Sequence, residues 1–170
     1  MPSSTRTYER PKGRVIGIDP GFDRCGVAIL EKENGKEKLL FSACIKTNPK
    51  DPPEERLRII GEEIQKIIRK WKPRSLAIEK LFFNQNVSTA LKVAEARGVI
   101  LYEAGKADIS VYEYSPQDVK IAVTGYGKAD KRQVESMALR ILGLKEVPKY
   151  DDETDSIAVG ITHLASHTGR

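Results

Sequence analysis

The spacing of apolar residues changes near residue 50, and this change constrains the fold more than any other feature of the sequence. Before it, apolar runs over residues 14–19 and 25–47 are typical of strands, and Asn34-Gly35 suits a type I′ hairpin turn. Strands joined by such short connections are expected to be antiparallel. After it, apolar residues recur at three- and four-residue steps and predict an amphipathic helix: Leu57, Ile60, Ile64, Ile67 and Trp71.

The rest of the chain alternates between strands and helices. Residues 75–80 form a short strand after a crossover, which is expected to run parallel to its neighbour, and residues 108–115 form another. Capped helix starts are predicted at Ser115 and Asp130, and the last helix begins in an acidic cluster near Asp151. The prediction is an α/β fold with a five-stranded mixed sheet, three antiparallel strands and then two parallel ones, flanked by helices.

The helix predicted over residues 86–105 is apolar on nearly all sides. Its apolar residues are Val87, Leu91, Val93, Ala94, Val99, Ile100 and Leu101. Such a helix needs cover on more than one side. A second subunit could supply that cover, or the helix could lie in the centre of the domain core, and the sequence favours neither alternative.

The length of the chain, 170 residues, suits one domain with an adequate core. We expect a flexible basic arm over residues 1–13, a single domain over 14–166 and a tail over 167–170. No apolar run approaches the roughly 20 residues that cross a bilayer, and no signal peptide is visible. Cys25 and Cys44 are expected to be buried free thiols in a reducing environment. These features predict a cytoplasmic protein without a membrane segment.

Basic residues outnumber acidic ones and give the chain a formal charge of +5. They concentrate in two stretches, namely Arg6, Arg10, Lys12 and Arg14 in the arm, and Lys120, Lys128, Lys131 and Arg132 around a glycine-containing loop. The excess is compatible with a polyanionic partner such as nucleic acid. A solvated surface explains each stretch equally well.

Carboxylates occur at three comparable places in the predicted fold. Asp19 ends the first strand in an Asp-Pro-Gly motif, Glu79 ends the strand after the crossover, and Asp152 and Asp155 open the last helix on one face. Singly, each has an ordinary explanation. The motif suits a type II turn, Glu79 could point into water, and the two aspartates could favour the positive end of the helix dipole.

Taken together, the four carboxylates indicate a metal site. The carboxyl ends of central strands are where sites assemble in open α/β sheets. Clustered carboxylates repel one another unless a cation neutralises them, and oxygen donors without histidine or cysteine favour Mg²⁺ or Mn²⁺. Two such ions can activate a water and stabilise a leaving oxygen in phosphoryl chemistry.

Four segments resemble, in their order and approximate spacing, the RuvC family of Holliday-junction endonucleases: VIGIDPGFDRCGVAIL, LAIEKLFFNQNVSTALKVAEARG, SPQDVKIAVTGYGKADKRQV and DETDSIAVGITH. The resemblance implies a ribonuclease H-like fold, a homodimer, and hydrolysis of two DNA strands at a four-way junction with two Mg²⁺ ions per site, for which Mn²⁺ could substitute. It further implies paired symmetric nicks with 5′-phosphate and 3′-hydroxyl ends, a role in recombination and repair, and a branch-migration helicase as partner.

The resemblance also assigns residues. It places the metal-binding acids at Asp19, Glu79, Asp152 and Asp155, and two positively charged catalytic residues that help hold the scissile phosphate at Lys120 and Lys131. The expected DNA-binding residues are Phe82, which would stack on the junction, Asn86, Lys120, Lys128, Lys131 and Arg132. The apolar helix after Asn86 corresponds to the family's dimer helix. Asp151 is an alternative to Asp152, although the three-residue step to Asp155 favours Asp152.

Three other functions remain open from the residues alone. An ATPase or sugar kinase of the actin-like class also begins with Asp-x-Gly on a strand, but it needs a second domain for which 170 residues leave no room. A non-catalytic junction-binding protein would use only the basic surface. A ribonuclease H-like nuclease that cuts RNA–DNA hybrids is disfavoured only by the resemblance.

Overall fold

The computed structural model describes residues 13–81 and 87–167, so the predicted DNA contacts Phe82 and Asn86 lie outside the described residues. The described part of the chain forms β1 (Val15–Asp19), β2 (Arg24–Glu33), β3 (Lys36–Lys46), α1 (Pro53–Trp71), β4 (Ser75–Glu79), α2 (Val87–Lys106), β5 (Ser110–Tyr114), α3 (Pro116–Thr124), α4 (Lys131–Leu142) and α5 (Asp151–His167). The strands form one sheet in the order β3-β2-β1-β4-β5.

The sheet is mixed, as predicted. β1 and β3 are antiparallel to β2, whereas β4 runs parallel to β1 and β5 runs parallel to β4. The turn between β2 and β3 has Asn34 at a φ of 51° and Gly35 at a φ of 79°, the two positive angles of a type I′ hairpin. These observations confirm the predicted fold class.

Helices cover both faces of the sheet. One face packs against α1 and α2, and its core residues lie at alternate positions, such as Ile16 and Ile18 of β1. The other face packs against α5, with α3 and α4 packed beside that helix. Because side chains alternate along a strand, Asp19 and Glu79, the last residues of β1 and β4, lie on the α5 side.

Helix α5 approaches the sheet closely because two strand glycines lie beneath it. A Cβ atom on Gly17 would lie 2.3 Å from the carbonyl oxygen of Ser156, and one on Gly26 would lie 1.8 Å from that of Asp152. Neither position has room for a side chain, so the backbone of α5 rests directly on β1 and β2. Gly26 is the register partner of Asp19, which brings the N-terminal end of α5 to the end of β1.

The predicted helix ends are confirmed where a side chain or a glycine defines them. Ser115 caps α3 in a reciprocal pair with Asp118, and Asp130 caps α4 in the same way with Gln133. Gly143 ends α4 in the left-handed conformation, at a φ of 63°. These short segments fix where α4 begins, and therefore where its first residue, Lys131, lies.

The Asp-Pro-Gly segment is not the predicted type II turn. Such a turn needs a positive φ at the glycine, and Gly21 does not have one. Instead, a Cβ atom on Gly21 would lie 1.9 Å from the carbonyl oxygen of Arg24. The glycine is required because the chain passes close to itself at this point, not because the backbone is left-handed.

Helix α2 is not a central core helix. Its core-facing positions hold mainly small residues, namely Ala90, Ala96, Ile100 and Ala104. Large apolar residues on the same helix are exposed, with Val87 at 61%, Leu91 at 54% and Tyr102 at 66%. The alternative of a helix buried inside one chain was therefore wrong, and the other alternative, cover by a second subunit, remains a prediction.

The two cysteines are free, as predicted, but only one is buried. Cys25 lies on the α1 side of β2, where burial raises the pKa of its thiol to about 12. Cys44 of β3 faces α5 and is partly exposed, with its Sγ 3.9 Å from Asp152 Oδ2. Among the described helices, none is long and apolar enough to span a membrane.

Candidate active site

Asp19 and Glu79 lie next to each other at one end of the sheet. They end the parallel neighbours β1 and β4, whose preceding residues Ile18 and Ile78 are register partners. Burial, and then the charges of Asp155, Glu79 and Asp152, together raise the pKa of Asp19 to about 8. Burial and Asp155 likewise raise the pKa of Glu79. Both carboxylates therefore lie where a negative charge is costly without a cation.

The first turn of α5 brings two more carboxylates to the same place. Asp152 and Asp155 lie one helical turn apart, and both act on the pKa of Asp19. Burial raises the pKa of Asp155 as well, and the ammonium group of Lys131 partly offsets this effect. The structure thus gathers the four predicted acids from β1, β4 and α5 into one cluster, which we call the acidic cluster: Asp19, Glu79, Asp152 and Asp155.

Two basic side chains neutralise part of the acidic cluster. Lys131 Nζ lies 3.0 Å from Asp155 Oδ2 and 3.0 Å from Asp151 Oδ2. Arg24 lies on the other side of the helix end, with its Nε 3.0 Å from Asp152 Oδ2 and its Nη2 3.2 Å from Asp151 Oδ1. Partial burial opposes the charge on Lys131, but its hydrogen bonds to the two aspartates raise its pKa.

Asp152 fits the acidic cluster better than Asp151. The Asp152 side chain is 16% exposed, whereas that of Asp151 is 50% exposed. Asp151 bridges the two basic residues, and its hydrogen bond from Lys131 lowers its pKa. The charge on Asp152 also raises the pKa of Asp19, as the charges of Asp155 and Glu79 do. Asp151 therefore positions the side chains of Arg24 and Lys131 and is not part of the acidic cluster.

The donor chemistry of the acidic cluster fits a hard divalent cation. Within residues 13–81 and 87–167, no three carboxylate, imidazole or thiol groups are close enough to coordinate one ion as they stand. Arg24 and Lys131 instead hold individual carboxylates apart in ion pairs. Even with these ion pairs, burial and the charges of the neighbouring carboxylates raise the pKa of Asp19 to about 8. Oxygen-only donors with excess negative charge suit Mg²⁺ or Mn²⁺.

Arg56 holds the segment that follows Asp19, although it lies on α1. Its side chain is almost fully buried, and its Nε donates a hydrogen bond to Thr47 Oγ1 at 2.9 Å. Its Nη2 donates to the carbonyl oxygen of Phe22 at 3.3 Å and pairs with the carboxylate of Asp23. The guanidinium also lies 4.2 Å from the Phe22 ring centroid. This clamp fixes the connection between β1 and β2 beside the acidic cluster.

A hollow of about 300 Å³ opens beside the acidic cluster. It is bounded by the connection after β1 and by the first turns of α2, and its lining includes Arg24, Lys92 and Asp152. The hollow places two basic side chains next to a cluster carboxylate.

The other predicted basic residues do not reach the acidic cluster. Lys120 lies half-buried on α3, and Lys128 and Arg132 are exposed before and within the first turn of α4. Among the described residues, none of the three forms an ion pair with a carboxylate. Lys131 is the predicted basic residue that the structure joins to the acids, whereas Arg24 and Arg56 were not predicted to take part in the site.

Comparison with known proteins gives a family match over most of the chain. The family model described as crossover junction endodeoxyribonuclease RuvC matches residues 15–163. The crossover junction endodeoxyribonuclease RuvC of Finegoldia magna is 46% identical over 151 residues, which cover 89% of this chain and 92% of that protein. The protein of the same name from Thermotoga petrophila is 40% identical over 158 residues, covering 92% and 95%.

Solved structures agree with the sequence comparison. Thermus thermophilus RuvC in complex with a Holliday junction substrate superposes with a TM-score of 0.87 at 35% identity, covering 91% of this chain and 94% of that one. The yeast mitochondrial Holliday junction resolvase superposes with a TM-score of 0.67 at 15% identity, covering 95% and 82%. The second similarity shows a shared fold, which is the predicted ribonuclease H-like arrangement of sheet and helices.

Proposed function

The chain belongs to the RuvC family of crossover junction endodeoxyribonucleases, and from this premise we propose that it cuts four-way DNA junctions. One observation supports this function above the others. The acidic cluster joins four carboxylates from β1, β4 and α5 at the end of the sheet, and burial and mutual repulsion raise the pKa of Asp19 to about 8. Burying carboxylates that repel one another destabilises the fold, and a role in phosphodiester hydrolysis would explain why the chain has them.

The acidic cluster would hold the metal ions of the reaction, two Mg²⁺ in each site, with Mn²⁺ as a substitute. When bound, the ions supply activation of water and stabilisation of the leaving oxygen. Asp19 and Glu79 come from strand ends, and Asp152 and Asp155 from the first turn of α5, so the backbone brings all four donors to the same end of the sheet. Their side chains would turn towards the ions when Arg24 and Lys131 release Asp152 and Asp155. The expected products are 5′-phosphate and 3′-hydroxyl ends.

Lys131 and Arg24 would move from carboxylates to phosphate when DNA binds. Both are exposed enough to move, with side-chain exposures of 57% and 47%. In the free protein they compensate the acidic cluster through Asp151, Asp152 and Asp155. A phosphate beside the cluster offers anionic oxygens to which both side chains can donate hydrogen bonds, and it develops further charge in the transition state. Lys120 would contact the phosphate chain from α3.

Helix α2 supports the proposal of a homodimer. Val87, Leu91 and Tyr102 lie within one stripe of the helix at steps of four and eleven residues, and Gly98 lies between them. All three side chains are more than half exposed, and a Cβ atom on Gly98 would have nothing within 4 Å. Such an unpartnered stripe suits a second copy of the chain, in which case two active sites would make paired, symmetric nicks.

The proposal places the protein in recombination and DNA repair, in the bacterial cytoplasm and beside a branch-migration helicase. The helicase follows from family membership alone. The predicted contacts Phe82, Asn86, Lys128 and Arg132 belong to the same proposal and would bind the junction.

The function is tested by incision of a labelled four-way junction in Mg²⁺, with Asp19→Asn as the variant. This change keeps the size of the side chain but removes a charge at the centre of the cluster. We expect the cleavage rate to fall at least about a hundredfold. Binding of the junction should remain, since Asp19 would contact ions rather than DNA.

Linear duplex and RNA–DNA hybrid of the same sequence serve as the comparison substrates. The proposed function requires the intact junction to be cut faster than either at equal concentration. Equal cutting of the hybrid would favour a ribonuclease H-like activity instead. Junction binding without any Mg²⁺-dependent cutting by the unaltered protein would favour an architectural role.

A further inference from the structure

A second surface with the features of a DNA contact lies on α4, and no residue of the acidic cluster lines it. It is a groove of about 440 Å³ between α4 and the connection from α3, which we call the α4 groove. Its lining includes Arg132, Ser136 and Arg140, which lie at four-residue steps and therefore on one face of α4. Tyr126, from the connection, is 56% exposed and forms part of the groove.

The arginines of the α4 groove have no acidic partner in the part of the chain that the structure describes. The exposed Arg58 of α1, by contrast, is paired within its own helix with Glu55 and Glu62. Neither Arg132 nor Arg140 forms an ion pair with a described carboxylate. The acidic residue of the groove, Asp130, already accepts a hydrogen bond from the backbone N–H of Gln133 at 2.8 Å. The groove therefore presents two uncompensated guanidinium groups.

The wall opposite the arginines is held in place by its own hydrogen bonds. Thr124 Oγ1 donates to the carbonyl oxygen of Lys120 at 2.7 Å and accepts from the backbone N–H of Tyr126 at 3.1 Å. The carbonyl oxygen of Tyr126 accepts from the backbone N–H of Ala129 at 3.1 Å. An exposed ring on a fixed turn offers a flat contact surface at little cost in conformational entropy.

We infer that the α4 groove binds the sugar–phosphate backbone of a junction arm, outside the strand that is cut. This inference rests on the proposed function and extends it by a second contact surface. Arg132 and Arg140 are eight residues apart, which is about 12 Å along a helix. At about 3.4 Å of axial rise per base step, this distance corresponds to phosphates of one strand that are about three to four steps apart along the duplex axis. Arg132 and Arg140 hold two of these phosphates, and Tyr126 packs against the sugar between them.

The test measures binding of a fluorescent four-way junction in EDTA, where no cutting occurs, over a series of NaCl concentrations. Arg132→Ala/Arg140→Ala removes both phosphate contacts. Each lost contact should lower the magnitude of the slope of log K against log salt by about 0.9. We therefore expect the double variant to bind at least about tenfold more weakly near 0.1 M salt, with a slope that is smaller by nearly two.

Two further double variants complete the test. Arg132→Lys/Arg140→Lys keeps both charges and should keep the slope. Arg69→Ala/Arg74→Ala removes two exposed arginines from the end of α1 and the start of β4, opposite the acidic cluster, and should leave affinity and slope unchanged. Tyr126→Ala should weaken binding without a change in slope, because it removes a neutral contact. Melting temperatures check that each variant is folded.

The outcomes distinguish failure of the α4 groove as a DNA contact from failure of the proposed function. A double alanine variant with the affinity and slope of the unaltered protein overturns the groove as a DNA contact. If that variant instead binds an acidic peptide more weakly than the unaltered protein does, the groove binds an acidic protein segment. If the unaltered protein does not bind the junction, the proposed function fails and the groove fails with it.

Discussion

His163 is a buried histidine without a charged partner. It lies on α5 with no exposed surface, and its Nδ1 is 2.9 Å from the hydroxyl of Tyr114. Its ring stacks on His167 at 4.3 Å and contacts Tyr112 at 4.6 Å between centroids. Its Nε2 has no hydrogen-bond partner among the described residues. The groups that face it are thus two phenols and another imidazole, none of which stabilises an imidazolium ion.

These surroundings predict a loss of stability in mild acid. Burial, and then His167, lower the pKa of His163 from 6.5 to about 3. The unfolded chain therefore takes up a proton near pH 6.5 that the folded chain does not bind until about pH 3, so acid favours unfolding in this interval. Between pH 7 and pH 5, His163 should remove about 2 kcal/mol from the free energy of unfolding. Urea unfolding at the two pH values measures this difference.

The matched variant is His163→Phe, which keeps an aromatic ring and cannot bind a proton. Other titrating groups, Asp19 included, contribute equally to both proteins, so the comparison isolates His163. We expect the variant to lose about 2 kcal/mol less than the unaltered protein over the same pH interval. His167→Phe should not show this gain. Equal losses in His163→Phe and the unaltered protein would contradict the prediction.

The predictability of the site differs from residue to residue. Asp19 and Glu79 could be predicted because each ends an apolar strand at the sheet end where sites assemble, and because the acids of the last helix were expected beside them. Arg24 could not, since its partner Asp151 lies 127 residues away and nothing local distinguishes it from a surface arginine. Arg56 left a signal that was missed. It lies four residues before Ile60 and so on the apolar face of α1, where a charged residue needs a buried partner.

The contact between α5 and the sheet determines where the acidic cluster lies. Gly26 of β2 is the closest point of this contact, because its missing Cβ would lie 1.8 Å from the carbonyl oxygen of Asp152 and 2.4 Å from the carbonyl carbon. Backbone atoms in a helix cannot move aside as a side chain can. A methyl group at Gly26 must therefore shift the first turn of α5 away from β1.

This geometry predicts the effect of Gly26→Ala. Overpacking should cost about 1–3 kcal/mol of stability. A displacement near 1 Å of Asp152 and Asp155 relative to Asp19 should lower the junction cleavage rate about a hundredfold. Cleavage assays at a temperature well below the melting point, together with denaturant unfolding, measure the two effects separately.

Gly160→Ala is the control, because Gly160 lies on α5 and also packs closely against the sheet. Its Cβ would lie 2.4 Å from Cδ1 of Leu30, which is the end of a flexible side chain on β2 and lies farther from the acids. This variant should lose stability in the same range and keep most of its cleavage rate. If both variants lose stability and cleavage in parallel, the loss reflects unfolding, and α5 does not set the positions of the acids.

Turns and helix caps that depend on neighbouring residues could be predicted from the sequence, whereas backbone conformations that depend on distant contacts could not. The hairpin turn at Asn34 and the caps at Ser115 and Asp130 depend on neighbouring residues, so the sequence contained the whole cause. Gly21 is different, because its role depends on the carbonyl of Arg24 folding back onto it. The Asp-Pro-Gly pattern suggested a common turn, but the path of the β1–β2 connection, held by Arg56 from α1, overrode that preference.

At the scale of the whole molecule, the proposed function requires two chains. A four-way junction has two strands to cut, and each chain has one acidic cluster. The exposed stripe of α2 begins near the hollow beside that cluster, since Thr89 and Lys92 of the same helix line the hollow. A partner on this stripe would hold the two active sites at a fixed separation. Paired cutting would then depend on an apolar contact that lies outside both sites.

Leu91→Glu tests this dependence, because it places a charge within the exposed stripe of α2. Leu91 is 54% exposed, so the charge should not disturb the fold of a single chain. Light scattering should give about 38 kDa for the unaltered protein, twice the 19.0 kDa of one chain, and a monomer mass for the variant. On a supercoiled plasmid with an extruded cruciform, the dimer should yield linear DNA and the variant mainly nicked circles. Val147→Glu, equally exposed but in the connection before α5, should change neither result. A variant that still forms linear DNA as a monomer would mean that paired cutting does not arise from this contact.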